Sequence, residues 1–210
     1  MKYDPAQVRI HEAYTVAIRD LGVHGEGIGS VDGFTVFVPG ALPGETVTAE
    51  ITLLKKSYAL GELLSIEQES PFRVVPECSV YENCGGCQLS HLTYEGQLDI
   101  KYRRVKDVIE RIAGESRDLV RPVLPAAHPF AYRNKMAVPA GLVKGKAALG
   151  CYRQGSHDII PVSSCAIQKE ENNRLLRFAR RCIEKYGISV YDEKTRKGNL
   201  RHVMGRVGDD

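Results

Sequence analysis

The chain has 210 residues, 43% of them hydrophobic, 26% charged and 7% aromatic, and its 29 Lys+Arg against 26 Asp+Glu leave a formal charge of +3. That is enough chain for one large or two small domains with a core that needs no disulfides, and the ordinary composition excludes collagen-like, low-complexity and disordered classes. No apolar run approaches the ~20 residues of a transmembrane helix and no apolar signal segment follows Met1-Lys2-Tyr3-Asp4-Pro5, so the expectation is a cytoplasmic monomer without membrane contact, whose six cysteines serve metal binding or catalysis.

Charge is unevenly spread. Residues 1–77 carry 6 basic and 11 acidic side chains, 78–125 carry 7 of each, and 126–210 carry 16 basic and 8 acidic. A basic C-terminal part points to a polyanion such as nucleic acid. A solvated helix face bearing Arg174, Arg177, Arg180 and Arg181 has the same composition.

Residues 13–20, 34–38, 46–53 and 59–66 alternate apolar and polar side chains, the period of half-buried strands. Glycines and the pairs Pro39-Gly40 and Pro43-Gly44 punctuate them, which predicts a small all-β barrel or sandwich. The run Gly25-Glu26-Gly27-Ile28-Gly29 leads into another strand and not a helix, so it lacks the helix N-terminus that a dinucleotide loop requires. Small barrels bind oligonucleotides on one face, and Lys55, Lys56 and Tyr58 offer charge and a ring there. A solvated turn offers the same residues.

The strongest chemical signal follows. Cys78, Cys84 and Cys87 form a Cys-x5-Cys-x2-Cys pattern, with Gly85 and Gly86 between the last two. Closely spaced thiols on a loop converge on one centre at little ordering cost, and the glycine pair is expected to let the backbone curl around it. A Cys-x2-Cys alone also suits a redox dithiol or a zinc-ribbon adaptor. The fourth ligand comes from Cys151, Cys165, Cys182 or His91; Cys165, between a strand and a helix, is placed to reach a distant loop. Cys151 and Cys182 read as small buried hydrophobes, and His91 as a neighbour of the centre or a surface residue. Four thiolates serve zinc or an iron–sulfur cluster, and spacing does not choose between them.

Helical periodicity predicts helices over 94–113, with Leu98, Tyr102, Val105, Ile109 and Ile112 on one face, and over 168–186. Strand-like stretches lie at 120–124, 132–139, 147–153, 158–162 and 200–207. Tyr132, Arg133, Lys135 and Arg153 mix a ring with cations on strands, as single-stranded RNA binding requires and amphipathic sheet edges also show.

The order of these features is a Gly-rich barrel, Cys-x5-Cys-Gly-Gly-Cys-Gln, Tyr132-Arg133-Asn134-Lys135, Leu149–Ile159, Cys165 and Leu200-Arg201-His202-Val203. It resembles the RNA uracil-5-methyltransferases, in particular those of 23S ribosomal RNA. The resemblance implies an α+β protein: an N-terminal all-β OB-like TRAM barrel over 1–70, then an α+β cluster-bearing domain over 71–210. It further implies a 4Fe-4S cluster on Cys78, Cys84, Cys87 and Cys165, and an RNA partner, ribosomal or transfer. In such a family a cysteine thiolate adds to carbon 6 of uracil, carbon 5 takes the methyl of S-adenosylmethionine, and a base removes the carbon-5 proton. The residues for those steps belong to a Rossmann-like domain beyond the position of Val207. The expectation is therefore that this domain is absent, that the chain, ending at Gly208-Asp209-Asp210, is a fragment, and that alone it transfers no methyl group. The alternative is a stand-alone RNA-binding iron–sulfur or zinc module.

Overall fold

The computed structural model describes residues 8–208; the chain's first residues, Met1–Pro5, and its last, Asp209 and Asp210, on which the expectations about its ends rest, lie outside the described residues. There are two compact units. One takes the chain up to Val75 together with His91–Leu124, the other takes Pro76–Ser90 and the chain from Pro125 onward. The chain crosses between units three times, where the sequence expectation drew one boundary between 70 and 71.

In the first unit the strands are β1 (Ala13–Ala17), β2 (Asp20–Leu21), β3 (Gly27–Val31), β4 (Phe34–Val38), β5 (Thr46–Leu54) and β6 (Ala59–Gln68). They form one sheet in the order β1-β5-β6-β4-β3-β2, antiparallel except where Val36 and Phe37 of β4 run parallel to Ala59 and Leu60 of β6. Alternation is the cause: in Phe34-Thr-Val-Phe-Val38 every second side chain is buried. Val16, Val36, Val38, Val47, Ala49 and Ile51 are fully enclosed in the core, where each Val or Ile contributes roughly 1.5–3 kcal/mol. The sheet curls until its ends meet. Arg19 N donates to Ile28 O at 2.9 Å, and the close approach needs Gly29, because a methyl there would lie 2.6 Å from the Ala17 carbonyl oxygen.

A buried ion pair ties the segment after β6 to this barrel. The Glu45 side chain is wholly buried. Its Oε2 accepts from Arg73 Nη2 and from Leu42 N, both at 2.8 Å, and Oε1 accepts from Ser70 N at 3.3 Å. Arg73 Nη2 also donates to Gly40 O at 2.7 Å. Val74 N then donates to His91 O at 3.0 Å and Thr93 N to Phe72 O at 2.8 Å, which returns the chain to this unit.

Helix α1 (Tyr94–Val108) starts where Thr93 Oγ1 accepts from Gly96 N at 3.1 Å. It runs into a π-type turn, Ile109–Ala113, and ends at Gly114 with φ 70°. The apolar stripe read from the sequence is only partly covered: Val105 is 48% and Ile112 80% exposed. Residues 120–124, expected to be a strand, follow a single 3-10 turn (Arg117–Leu119) as irregular chain outside any sheet, with Leu124 91% exposed. The apolar residues there find no sheet edge to join.

In the second unit β7 (Lys135–Val143), β8 (Lys146–Tyr152), β9 (Ile159–Pro161) and β10 (His202–Arg206) form an antiparallel sheet in the order β10-β7-β8-β9. Helix α2 (Glu170–Tyr186) packs its Leu176 and Ile183 with Met136, Val138, Ala140 and Leu149 of the sheet. Gly205 lets the helix sit close, since a methyl there would lie 2.9 Å from Asn172 Oδ1. Among the described residues no helix is long and apolar enough to cross a membrane.

Candidate functional site

Within the second unit the cysteine loop is held by bonds inside the loop and by bonds to the end of β8. Gly85 N donates to Tyr152 O at 2.9 Å, Cys84 N to Val80 O at 2.9 Å, Arg153 Nη1 to Asn83 Oδ1 at 2.8 Å, and Tyr81 Oη to Gln88 O at 2.8 Å. The sequence expectation gave the glycine pair a conformational role. Neither Gly85 nor Gly86 has a positive φ. What Gly85 supplies is room: a methyl there would lie 2.9 Å from Gln154 N and 3.0 Å from Tyr152 O.

Cys165 sits just ahead of α2. Its N–H donates to Asn173 Oδ1 at 2.9 Å, and Asn173 Nδ2 returns a bond to Cys165 O at 3.3 Å. Burial pushes the Cys165 thiol up, while the N–H groups of Ile167 and Gln168 turn toward its sulfur and pull it down; Cys78 and Cys84 oppose its ionisation. Burial likewise raises Cys87, which is hydrogen-bonded to Ser90 and feels Cys165, Cys84 and the Arg133 cation. Cys151, which by sequence reads as a packing residue, belongs with these thiols. Its thiol hydrogen-bonds to Cys84, and burial together with Cys84, Cys165 and Cys87 pushes it up to about 12. Cys84, Cys87, Cys151 and Cys165 thus act on one another electrostatically, and Cys78 joins them through Cys165. Cys151 could have been found from its place on β8, beside the strand end that receives Gly85. Cys182 lies on α2 and is half-buried, and His91 lies in the first unit.

The donor set is soft sulfur, part-buried and served by backbone N–H groups, which fits an iron–sulfur cluster. Among the described residues no three His, Cys, Asp or Glu side chains converge closely enough to hold one metal ion. A four-iron cluster asks for something different, a thiolate at each of four separate irons.

The candidate RNA residues fall into two groups. Lys55 and Lys56 are exposed in the β5–β6 turn, where Lys55 N donates to Tyr58 O at 2.8 Å. The Tyr58 ring is engaged edge-on with Phe37, centroids 5.5 Å apart. In the second unit, Arg133 pairs with Gln168 in a parallel bridge that precedes β7, so the expected strand starts later, at Lys135. Tyr132 is 57% exposed on that ribbon, beside the segment that carries Cys165. Lys135 stands directly opposite Arg206 in the β7–β10 register, both exposed. Like charges facing across a sheet are destabilising unless an anion lies between them. Arg153 is partly committed to Asn83, and Tyr152 stacks on His157 with centroids 4.9 Å apart.

Comparison with known proteins supplies the context. Residues 6–64 match the TRAM domain model. An uncharacterised RNA methyltransferase of Bacillus cereus is 49% identical over 201 residues, covering 96% of this chain and 44% of that protein. One from Clostridium tetani is 44% identical over 200 residues, covering 95% and 43%. The crystal structure of Pyrococcus abyssi tRNA (uracil-54, C5)-methyltransferase in complex with S-adenosyl-L-homocysteine superposes with a TM-score of 0.68 at 26% identity, over 92% of this chain and 42% of that one. The chain therefore spans less than half the length of the relatives it matches.

These matches correct the expected fold class. It described a barrel and a cluster-bearing domain from which the methyltransferase domain is absent. RNA methyltransferases align with 96% of the chain, and 92% of it superposes on a methyltransferase holding its spent cofactor. The expected class, defined by an absent methyltransferase domain, is therefore set aside, and these matches do not bear out the expected inactivity.

Proposed function

We propose that this chain grips RNA for an S-adenosylmethionine-dependent methyltransferase acting on carbon 5 of uridine. The supporting observation is the superposition, along 92% of the chain, on an enzyme that acts on carbon 5 of a transfer-RNA uracil. The TRAM match and the paired exposed cations Lys135 and Arg206 support an RNA partner. In this reading Tyr132 stacks on an unpaired base while Arg133, Lys135 and Arg153 meet phosphates, and Lys55 and Lys56 meet phosphates on the barrel. The sequence resemblance favours 23S ribosomal RNA and the solved neighbour acts on transfer RNA, so the assay carries both. With labelled S-adenosylmethionine, the protein is expected to yield 5-methyluridine on nucleoside digestion. Label on cytidine, or on the ribose, would overturn the carbon-5 reading.

The same proposal assigns Cys78, Cys84, Cys87 and Cys165 as holders of a 4Fe-4S cluster. The cluster supplies a cross-link between the loop of Pro76–Ser90 and the residues ahead of α2. The chain's own residues do the rest: Asn173 fixes the Cys165 backbone, Gly85 brings the loop onto Tyr152, and the Ile167 and Gln168 N–H groups stabilise thiolate charge. Anaerobically purified protein is expected to be brown, with about four irons and four sulfides per chain. Cys84→Ser is expected to lose most of that iron and to loosen the loop. A colourless wild-type protein carrying one zinc would overturn the assignment.

A further inference from the structure

The basic run Arg174, Arg177, Arg180 and Arg181 is not used by the reading above. In the structure its residues lie on α2, whose Leu176 and Ile183 are buried against the sheet. On the solvent side Arg174, Phe178, Arg181 and Lys185 follow one another at steps of four, three and four residues and are all exposed, the spacing of a single helix stripe. An exposed apolar residue alone calls for no explanation. Phe178 is different in its surroundings. It is 55% exposed and shares a shallow depression of about 470 Å³ with Arg174, Leu175, Arg177 and Arg181. From 174 to 186 the helix carries five basic side chains and one acidic, Glu184. Glu170, one turn earlier, takes Arg177 and lies 4.0 Å from Arg174. Arg181 has no acidic partner among the described residues.

We propose that this stripe is a second RNA-contacting element, in which an unpaired base stacks on Phe178 while Arg174, Arg181 and Lys185 neutralise flanking phosphates. The inference rests on the RNA reading above and adds a place and a mode of contact. Charge complementarity names a polyanion. A phenyl ring among guanidinium groups selects a single-stranded one, because every unpaired base offers a π face to a ring, whereas a duplex keeps its bases stacked inside.

The test uses the whole chain and a fluorescein-labelled oligouridine, with binding followed by anisotropy over a salt series. Phe178→Ala is expected to weaken binding about tenfold with the salt slope unchanged, since the lost contact is uncharged. Phe178→Tyr should restore affinity. The triple variant Arg174→Gln, Arg181→Gln, Lys185→Gln should flatten the slope of log K against log salt by about 2, from ~0.7 per phosphate on a single strand. All four residues are exposed, so the helical circular dichroism should not change. Photocrosslinking of the wild-type protein to 5-iodouridine RNA gives an independent readout, with the tryptic peptide containing Phe178 expected among the products. Wild-type affinity in both Phe178→Ala and the triple variant overturns the inference, as does crosslinking confined to other peptides. Loss of binding to an acidic peptide, with RNA binding intact, also overturns it in favour of a protein partner. If the wild type binds RNA and forms 5-methyluridine while the α2 variants are silent, only this inference fails; if the wild type binds no RNA, the underlying reading fails with it.

Discussion

Glu45→Ala is expected to cost about 3–5 kcal/mol, because it strands the Arg73 guanidinium in a buried site, and to lower the thermal midpoint by roughly 10 °C. Arg73 is 18% exposed at the side chain and Glu45 is sealed, so water cannot replace the lost carboxylate. The carboxylate also accepts from the backbones of Leu42 and Ser70, and those N–H groups would be left without it. The double variant Glu45→Leu, Arg73→Met should lose less than Glu45→Ala alone, since no charge remains buried. A double variant worse than the single one would mean that the pair acts by something other than charge compensation.

The same neighbourhood sets the acid limit of stability. Burial opposes ionisation of Glu45, but Arg73 and the Leu42 and Ser70 N–H groups outweigh it and hold the carboxyl below its usual range. Its contribution is present at neutral pH and is lost as pH falls through that depressed value. His91 is 4% exposed, and burial, with the Arg73 cation, lowers it from 6.5 to about 4 despite the nearby Glu45. The unfolded chain takes up that proton first, so stability falls as pH drops from about 6.5 toward 4, by up to about 3 kcal/mol. His91→Gln should remove the part of the decline above pH ~4 and leave the lower part. Denaturant melts at half-unit pH intervals check this, and an unaltered decline in His91→Gln would assign it elsewhere.

Gly150→Ala is expected to destabilise the second unit by about 4 kcal/mol, at the upper end of single-residue effects. Gly150 lies opposite Pro161 in the β8–β9 pair. A methyl there would overlap the carbonyl oxygen of Ile160 and lie 3.0 Å from the Pro161 Cα. Both are backbone atoms held by the sheet, so no side chain can turn aside to relieve the overlap. The next residue, Cys151, pairs with Ile160 and bonds to Cys84; prising β9 away therefore disturbs the thiol centre. Hydrogen exchange should show lost protection in β8 and β9 with the barrel amides unchanged. Gly208→Ala, which meets nothing within 4 Å, should leave exchange as in the wild type.

What the sequence disclosed follows the range of the physics involved. The strands of the barrel are legible because alternation is local and each buried Val or Phe declares its own side. The α1 period is equally legible as a helix, yet the exposure of Val105 and Ile112 is not, since burial depends on what packs against the face. Residues 120–124 carry apolar side chains like a strand, but pairing needs a neighbour that the sequence does not place. The cysteine loop announces itself through spacing. Cys151 does not, because its meeting with Cys84 depends on Gly85 docking on Tyr152, a contact between segments about 70 residues apart in sequence. The glycine pair is legible as special, and for Gly85 the reason is atomic crowding rather than dihedral freedom.

The interleaving of the two units bears on how such a protein is inherited and engineered. Neither unit is a continuous stretch of chain, because the cysteine loop is lent by a segment that departs after Val75 and is back by His91. No single recombination point or protease cut releases one unit whole. An exchange made at residue 70 or 75 would carry away a barrel without α1 and leave the recipient to rebuild a helix it does not encode. Separating the two units therefore takes a cut at each of the three crossings, and grafting either one onto another scaffold means joining two pieces of chain.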